Sequence, residues 1–227
     1  LGSNYSLATE TKQATINKKA LTITGTTVAD KIYNGLKDAT VRLGELTGLA
    51  NGETLGTTTA VGEFDTKHVG TDKEVTVVYT LVDGGNPLEP GAKASNYSLA
   101  GETLQADITQ KALTISGITA GSKTYNGLND ATVSTSNVVR DGLIDNDELT
   151  ISTTGLFIDK HAANGKTVNL TSTYGGADVG NYAITDQATA TANIDKAELT
   201  ISGITAANKT YNGNRDAVVS TANVVRT

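Results

Sequence analysis

An all-β chain of tandem immunoglobulin-like antiparallel β-sandwich repeats, arranged end to end, is what this 227-residue sequence predicts. Three observations lead there. The composition suits strands and tight turns: threonine, valine, alanine, asparagine and glycine dominate, with two prolines and no cysteine, methionine or tryptophan. Thr and Val fit pleated, half-buried surfaces, while Gly and Asn fit turns. Apolar and polar residues alternate in recurring segments such as Leu21-Thr22-Ile23-Thr24 and Leu113-Thr114-Ile115-Ser116, the pattern of a strand with one buried face. Finally, Lys31-Ile32-Tyr33-Asn34-Gly35 returns as Lys123-Thr124-Tyr125-Asn126-Gly127 and as Lys209-Thr210-Tyr211-Asn212-Gly213, the tyrosines lying 92 and 86 residues apart. That period exceeds a solenoid rung and matches one small sandwich domain of about seven strands.

The elements follow in the same order in each copy. A strand opens it at Lys19-Ala20-Leu21-Thr22-Ile23-Thr24-Gly25 and Lys111-Ala112-Leu113-Thr114-Ile115-Ser116-Gly117. The Tyr-Asn-Gly turn comes next, each time with an aspartate five residues after the tyrosine: Asp38, Asp130 and Asp216. Phe64-Asp65-Thr66-Lys67-His68 and Phe157-Ile158-Asp159-Lys160-His161 form a third anchor, leading into the strand-like Glu74–Tyr79 and Thr167–Tyr174. Asn4-Tyr5, Asn96-Tyr97 and Asn181-Tyr182 form a fourth. Ala14-Thr15-Ile16, Ala106-Asp107-Ile108 and Ala192-Asn193-Ile194 close the units. The first unit has eight more residues than the second between phenylalanine and the Asn-Tyr pair, falling around Asp83 to Ser95 with Pro87 and Pro90. Insertions that leave strands in register sit in surface loops. The limits are therefore 1–17, the tail of a preceding repeat; 18–109 and 110–195, complete repeats; and 196–227, the head of a following one. No Pro/Gly/Ser-rich linker separates them, which predicts restricted hinge motion.

A net charge of −6 disfavours nucleic acid and anionic membrane surfaces, which take clustered Lys and Arg. No stretch reaches the length of a transmembrane helix, so membrane insertion is not expected, and no signal peptide is present in a sequence that opens inside a repeat. Absence of cysteine fits large exported bacterial proteins, although cytosolic chains also lack it.

The ordered run Lys-x-Tyr-Asn-Gly-x-x-Asp-Ala, Gly-Leu-x-x-x-x-Glu, Phe-x-x-Lys-His, Asn-Tyr and Ala-x-Ile resembles the YDG-type tandem repeat modules of bacterial filamentous-haemagglutinin-like, two-partner secretion surface adhesins. The resemblance covers the whole chain. It implies an extracellular or cell-surface location and a place in a stalk or distal region. Asn replaces the family's Asp in Tyr-Asp-Gly in all three copies, and both residues suit a tight turn before Gly.

Against this frame no catalytic or cofactor-binding residue stands out. The eight tyrosines fall at three repeated positions and the two phenylalanines at a fourth, which is the distribution of a sparse core. His68 and His161 have no cysteine or second histidine for a zinc site and read as turn or edge residues. Asp145, Asp147 and Glu148 form the densest acidic stretch; calcium is the ligand to weigh there, against a solvated turn, and the first unit's matching stretch around Glu53 is less acidic. Tyr33, Asn34, Gly35 and Asp38, Tyr125, Asn126, Gly127 and Asp130, and Tyr211, Asn212, Gly213 and Asp216 read as a structural turn motif, with the aspartates bracing the turn through backbone hydrogen bonds. The Asn-x-Ser/Thr sequons at Asn4, Asn96, Asn169 and Asn208 are what an Asn/Thr-rich chain produces by chance. The expected function is a non-enzymatic structural spacer of an adhesin, with neighbouring repeats as partners. The alternative is multivalent binding of glycans, biofilm matrix polymer or copies of itself, centred on loop 83–95.

Overall fold

The computed structural model describes residues 4–6, 8–50, 52–56, 58–84 and 92–227. It is all-β, with 48% of the chain in strands. Among the described residues there is no α-helix; short 3-10 turns occur at Ala94–Asn96 and Val179–Asn181.

The chain condenses into two compact units that do not follow the repeat limits. The first takes Leu1–Ala112 together with Leu143–Glu148 and Ala177–Ala183; the second takes Leu113–Gly142, Leu149–Gly176 and Ile184–Thr227. Two segments of the second repeat therefore belong, by their contacts, to the unit built on the first.

In the first unit the main sheet runs Lys31–Ile32, Glu102–Thr109, Gly70–Thr80, Thr59–Phe64, Asp38–Ala39. Its centre is the long strand Gly70–Thr80, antiparallel to both neighbours, with Val78 opposite Val61 and Val75 opposite Leu104. Short pairs join Thr22–Thr24 to Glu45–Thr47 and Thr27–Val28 to Val41–Arg42. The second unit repeats the order with Lys123–Thr124, Thr189–Asp195, Ala163–Gly175, Thr150–Phe157 and Asp130–Ala131. Pure antiparallel pairing does not hold. Lys31 pairs in parallel with Ile108, Lys123 with Ile194, and Lys19–Ala20 with Tyr97–Ser98. Parallel neighbours need a long crossover, and here nearly a whole repeat supplies it.

Side-chain alternation explains the core. Val75 and Val77 point inward and are fully buried, Tyr79 nearly so, while Val78 between them is exposed. Phe64 and Phe157, at matched positions, are both about 1% exposed. Phe157 packs with Val168, Ala192 and Ile194, and burial of one such side chain stabilises by about 2–3 kcal/mol. Residues 196–227 form two short pairs, Ile201–Ser202 with Val225–Arg226 and Thr205–Ala206 with Val219–Ser220. Leu199, Ile201 and Ile204 there remain exposed.

One glycine position recurs for a steric reason. A Cβ on Gly62 would lie 2.6 Å from Val41 and 3.1 Å from Ala39; on Gly155 it would lie 2.6 Å from Val133 and 2.9 Å from Val168. These glycines let the short strands approach the main sheet. Gly155→Ala is therefore expected to destabilise the second unit by roughly 1–3 kcal/mol through overpacking. Denaturant unfolding of the variant checks it, with an unchanged midpoint as the contrary result.

Candidate functional site

The Tyr-Asn-Gly segment forms the same local turn three times. Gly35, Gly127 and Gly213 have φ of 78°, 84° and 80°, the left-handed region that a side chain disfavours. The asparagine closes the turn on itself: Asn34 Oδ1 accepts from Leu36 N and Asn126 Oδ1 from Leu128 N, both at 3.0 Å, and Asn212 Oδ1 from Asn214 N at 3.3 Å. Such an Asx-turn mimics a backbone turn.

The aspartate acts differently from the expectation. Asp38 meets a side chain, with Lys31 Nζ at 3.1 Å and Asn34 Nδ2 at 3.2 Å. Asp130 likewise takes Lys123 Nζ at 2.8 Å. Lys31 also donates to the carbonyls of Leu36 and Asp38 at 2.8 and 2.7 Å, and lies 5.3 Å from the centre of the Phe64 ring. The motif's lysine is thus the brace, and its ammonium, ahead of Asn34, holds Asp38 below its usual carboxylate range. In the third copy Lys209 Nζ reaches Asn212 Oδ1 and Asn214 O at 3.0 Å.

The tyrosines part company. Tyr33 is 1% exposed, Tyr125 39% and Tyr211 91%, so the core expectation holds for Tyr33 and fails for its two counterparts. The backbone is not the reason: Tyr33 N donates to Thr109 O at 2.9 Å and Tyr125 N to Asp195 O at 2.8 Å. The difference lies in what covers the ring. Within the first unit, Tyr33 is met by Leu143–Glu148 and Ala177–Ala183 of the following repeat. Its hydroxyl donates to Asp147 Oδ2 at 2.8 Å, and Tyr182 Oη donates to the same oxygen at 2.5 Å. The two rings meet edge to face, with centroids 5.6 Å apart, a favoured aromatic geometry. Lys67 Nζ sits 3.1 Å from Asp147 Oδ1 and 3.1 Å from Asp178 Oδ1.

Around this centre the backbone is also tied. Val69 N donates to Asn181 Oδ1 at 3.1 Å, and Asn181 Nδ2 lies 3.2 Å from His68 Nδ1. Glu148 N donates to Asp178 Oδ2 at 3.1 Å, Ile144 N to Tyr182 Oη at 3.0 Å, and Gln110 Nε2 to Gly180 O at 3.1 Å. No buried side-chain polar atom among the described residues lacks a partner.

The acidic stretch is thereby divided. Asp147, with a side chain 3% exposed, is committed to two phenols and an ammonium. Glu148 contributes backbone bonds to Asp178, and Asp145 is exposed. The structure does not gather the three into a calcium cage, and no group of three or more His, Cys, Asp or Glu side chains suited to a metal occurs among the described residues. His161 lies at an exposed bend, its N–H on Asp159 at 2.7 Å. Of loop 83–95, residues 85–91, with Pro87 and Pro90, lie outside the described residues; its ends are closed by Ala94 N on Asp83 Oδ1 at 2.8 Å. Asp178, Asn181 and the role of Lys67 are what the sequence reading missed. The repeated Asn-Tyr pair was the only available signal, and it marks Asn96 as strongly as Asn181.

Electrostatics explains the stability of the cluster and its pH limits. Burial works to raise the Asp147 carboxyl, but hydrogen bonds from Tyr182, Tyr33 and Lys67 outweigh it and leave it below its ordinary range. Burial first, and Asp147 second, push the Tyr182 phenol up from 10.0 to about 12. A raised folded pKa contributes stability that is complete below the unfolded value and lost as pH climbs to the folded one. The cluster is therefore expected to loosen between pH 10 and about 12 as Tyr182 ionises. For Asp147 the sign is opposite: its contribution is present above about pH 4 and lost below. Amide exchange at Val69 across pH checks both limbs; equal protection at pH 8 and beyond pH 12 contradicts the first, after correction for intrinsic exchange.

A family match accompanies this geometry. The YDG domain matches residues 17–105 and again 109–192. No curated protein matches the chain, and no solved structure does. With two adjacent copies covering most of its length, the chain belongs to the YDG domain family.

Proposed function

We propose that the chain is a spacer segment of a bacterial cell-surface or secreted adhesin, with immunoglobulin-like repeats arranged end to end that hold a distal binding region away from the cell. The observation that carries this reading is the cluster at Asp147: a following repeat lends two loops to the compact unit of the preceding one and buries its Tyr33. Because of this lending, the chain passes between the two units at 112/113, 142/143, 148/149, 176/177 and 183/184. The joint between the repeats is thus a packed cluster rather than a linker alone. Stability then couples neighbours, as in other tandem repeats, and length is added without new chemistry.

The reading assigns no catalytic role: Tyr33, Tyr182, Lys67 and Asp147 are committed to one another. Multivalent binding of glycans or matrix polymer is less well supported. It calls for an exposed apolar patch at the same place in both repeats. Leu36 and Leu128 do match, at the turn, but Val61 and Val78 are exposed in the first repeat and Leu156 and Ile158 in the second.

The chain has no cysteine, so spin labels at Thr76→Cys and Thr171→Cys report one distance by pulsed electron resonance. A single narrow distribution is expected, broadened by Asp147→Ala, which strips two phenols and an ammonium of their acceptor at a cost of on the order of 3 kcal/mol. A distribution already broad in the unmutated chain would sink the spacer reading.

A further inference from the structure

The two repeats present different charges at one place on the face that receives the preceding repeat. In the second repeat that face is built from Ile144, Asp147, Asn181 and Tyr182. The first repeat builds the same constellation by itself: Ala50 N donates to Tyr97 Oη at 3.2 Å, as Ile144 N does to Tyr182 Oη at 3.0 Å. Tyr97 Oη donates to Glu53 as Tyr182 Oη does to Asp147. Asn96 precedes Tyr97 as Asn181 precedes Tyr182, at the end of the same 3-10 turn. In the first repeat this face is an open groove of about 390 Å³, lined by Ala50, Glu53, Asn96 and Tyr97 and by the segment 16–19 that leads into the repeat.

The residue that begins the 3-10 turn breaks the match. It is Asp178 in the second repeat and Lys93 in the first. Asp178 Oδ1 faces Lys67 of the preceding repeat at 3.1 Å, while Lys93 Nζ turns to Asp83 Oδ2, 3.1 Å away, with a side chain 67% exposed. Lys67 Nζ lies 3.1 Å from Asp147 and from Asp178 and 6.0 Å from the centre of the Tyr33 ring. An ammonium in place of Asp178 leaves Asp147 as the sole carboxylate for two cations. Like charges that close repel strongly in a partly buried site.

We propose that this position, Asp178 in one repeat and Lys93 in the next, selects which repeat seats on which by the charge it offers the lysine of the Phe-x-x-Lys segment. The second repeat's face accepts an end carrying Lys67. The first repeat's face fits the Tyr-Asn-Gly end of another YDG repeat that lacks a cation at that place. Repeats that fold alike are thereby not interchangeable, and their order is written in charge. The proposal rests on the spacer reading only in treating the contact as a joint between repeats.

The test is a double-mutant cycle read at the Val69 amide, whose acceptor is Asn181. Exchange is measured in the unmutated chain, D178K, K67Q and K67Q/D178K. D178K is expected to speed exchange by roughly tenfold or more when Lys67 is present, and by less than about threefold in the K67Q background, the size of coupling found between contacting residues. D178N, which retains an acceptor for Glu148 N, is expected to fall between, and it keeps the test alive should D178K not fold. The same acceleration in both backgrounds would mean that Asp178 acts only through Glu148 and Asn181, and would overturn the proposal. No acceleration in either would overturn it as well. A strong coupling beside a broad spin-label distribution would retain charge selection and remove the spacer reading, so the two fail separately.

Discussion

A single carboxylate organises the end of the first unit. Taking Asp147 out of water is costly, and an unpaired buried carboxylate would protonate or reject its site. Two phenols and an ammonium supply three charge-assisted bonds to its two oxygens, and such bonds are roughly twice as strong as neutral ones. The dependence is mutual. Tyr33 and Tyr182 each bring a large apolar ring whose hydroxyl requires a partner once buried, and Asp147 is the acceptor for both. Lys67, raised by Asp147 and then Asp178, stays charged. Remove the acid and Tyr33, Tyr182 and Lys67 each have one bond fewer.

The three copies of the motif separate what is local from what is not. The left-handed glycine and the Asx hydrogen bond are present even at Tyr211, whose ring is 91% exposed. Eight residues therefore encode the turn without help from packing. Burial of the tyrosine is not local: it is complete at Tyr33, where Asp147 and Tyr182 of the next repeat meet the ring, and partial at Tyr125. Local propensity makes the turn; a neighbour makes the core.

That division also sets what could be read in advance. The strand alternation of Glu74–Tyr79, the buried Phe64 and Phe157, and the repeated turn all rest on interactions within one repeat, and each was legible. Asp147 was not, because its partner Tyr33 lies 114 residues away and an acid within Asp145–Glu148 carries the same letters whether it is solvated or buried. Asn181 hides behind Asn96 for a similar reason: a tyrosine follows each, yet one side chain is buried and the other exposed. Lys31 was visible as part of the motif, yet nothing in spacing says that an ammonium rather than the backbone braces Asp38. The parallel edge pairs were missed since alternation reports which face is buried and is silent on strand direction.

Tandem copies also show that an interaction can outlive the positions that make it. Lys73 and Lys166 occupy matched places and each is nearly buried in an ion pair, Lys73 with Asp65 at 2.7 Å and Lys166 with Asp159 at 2.6 Å. Counted from the phenylalanine, the acid has moved by one residue, and Thr66 stands where Asp159 does, still bonded to Lys73 at 2.7 Å. Glu53 for Asp147 is a substitution of the same kind, since a longer acid still receives the tyrosine hydroxyl. Where a fold needs an interaction, the copies drift in letters and keep the contact. At Lys93 and Asp178 they do the opposite. The backbone position is kept, the sign of charge reverses, and Lys93 has a partner, Asp83, within its own repeat. Drift that preserves a contact reports on the stability of each repeat; a reversal at an otherwise matched surface reports on what that surface meets.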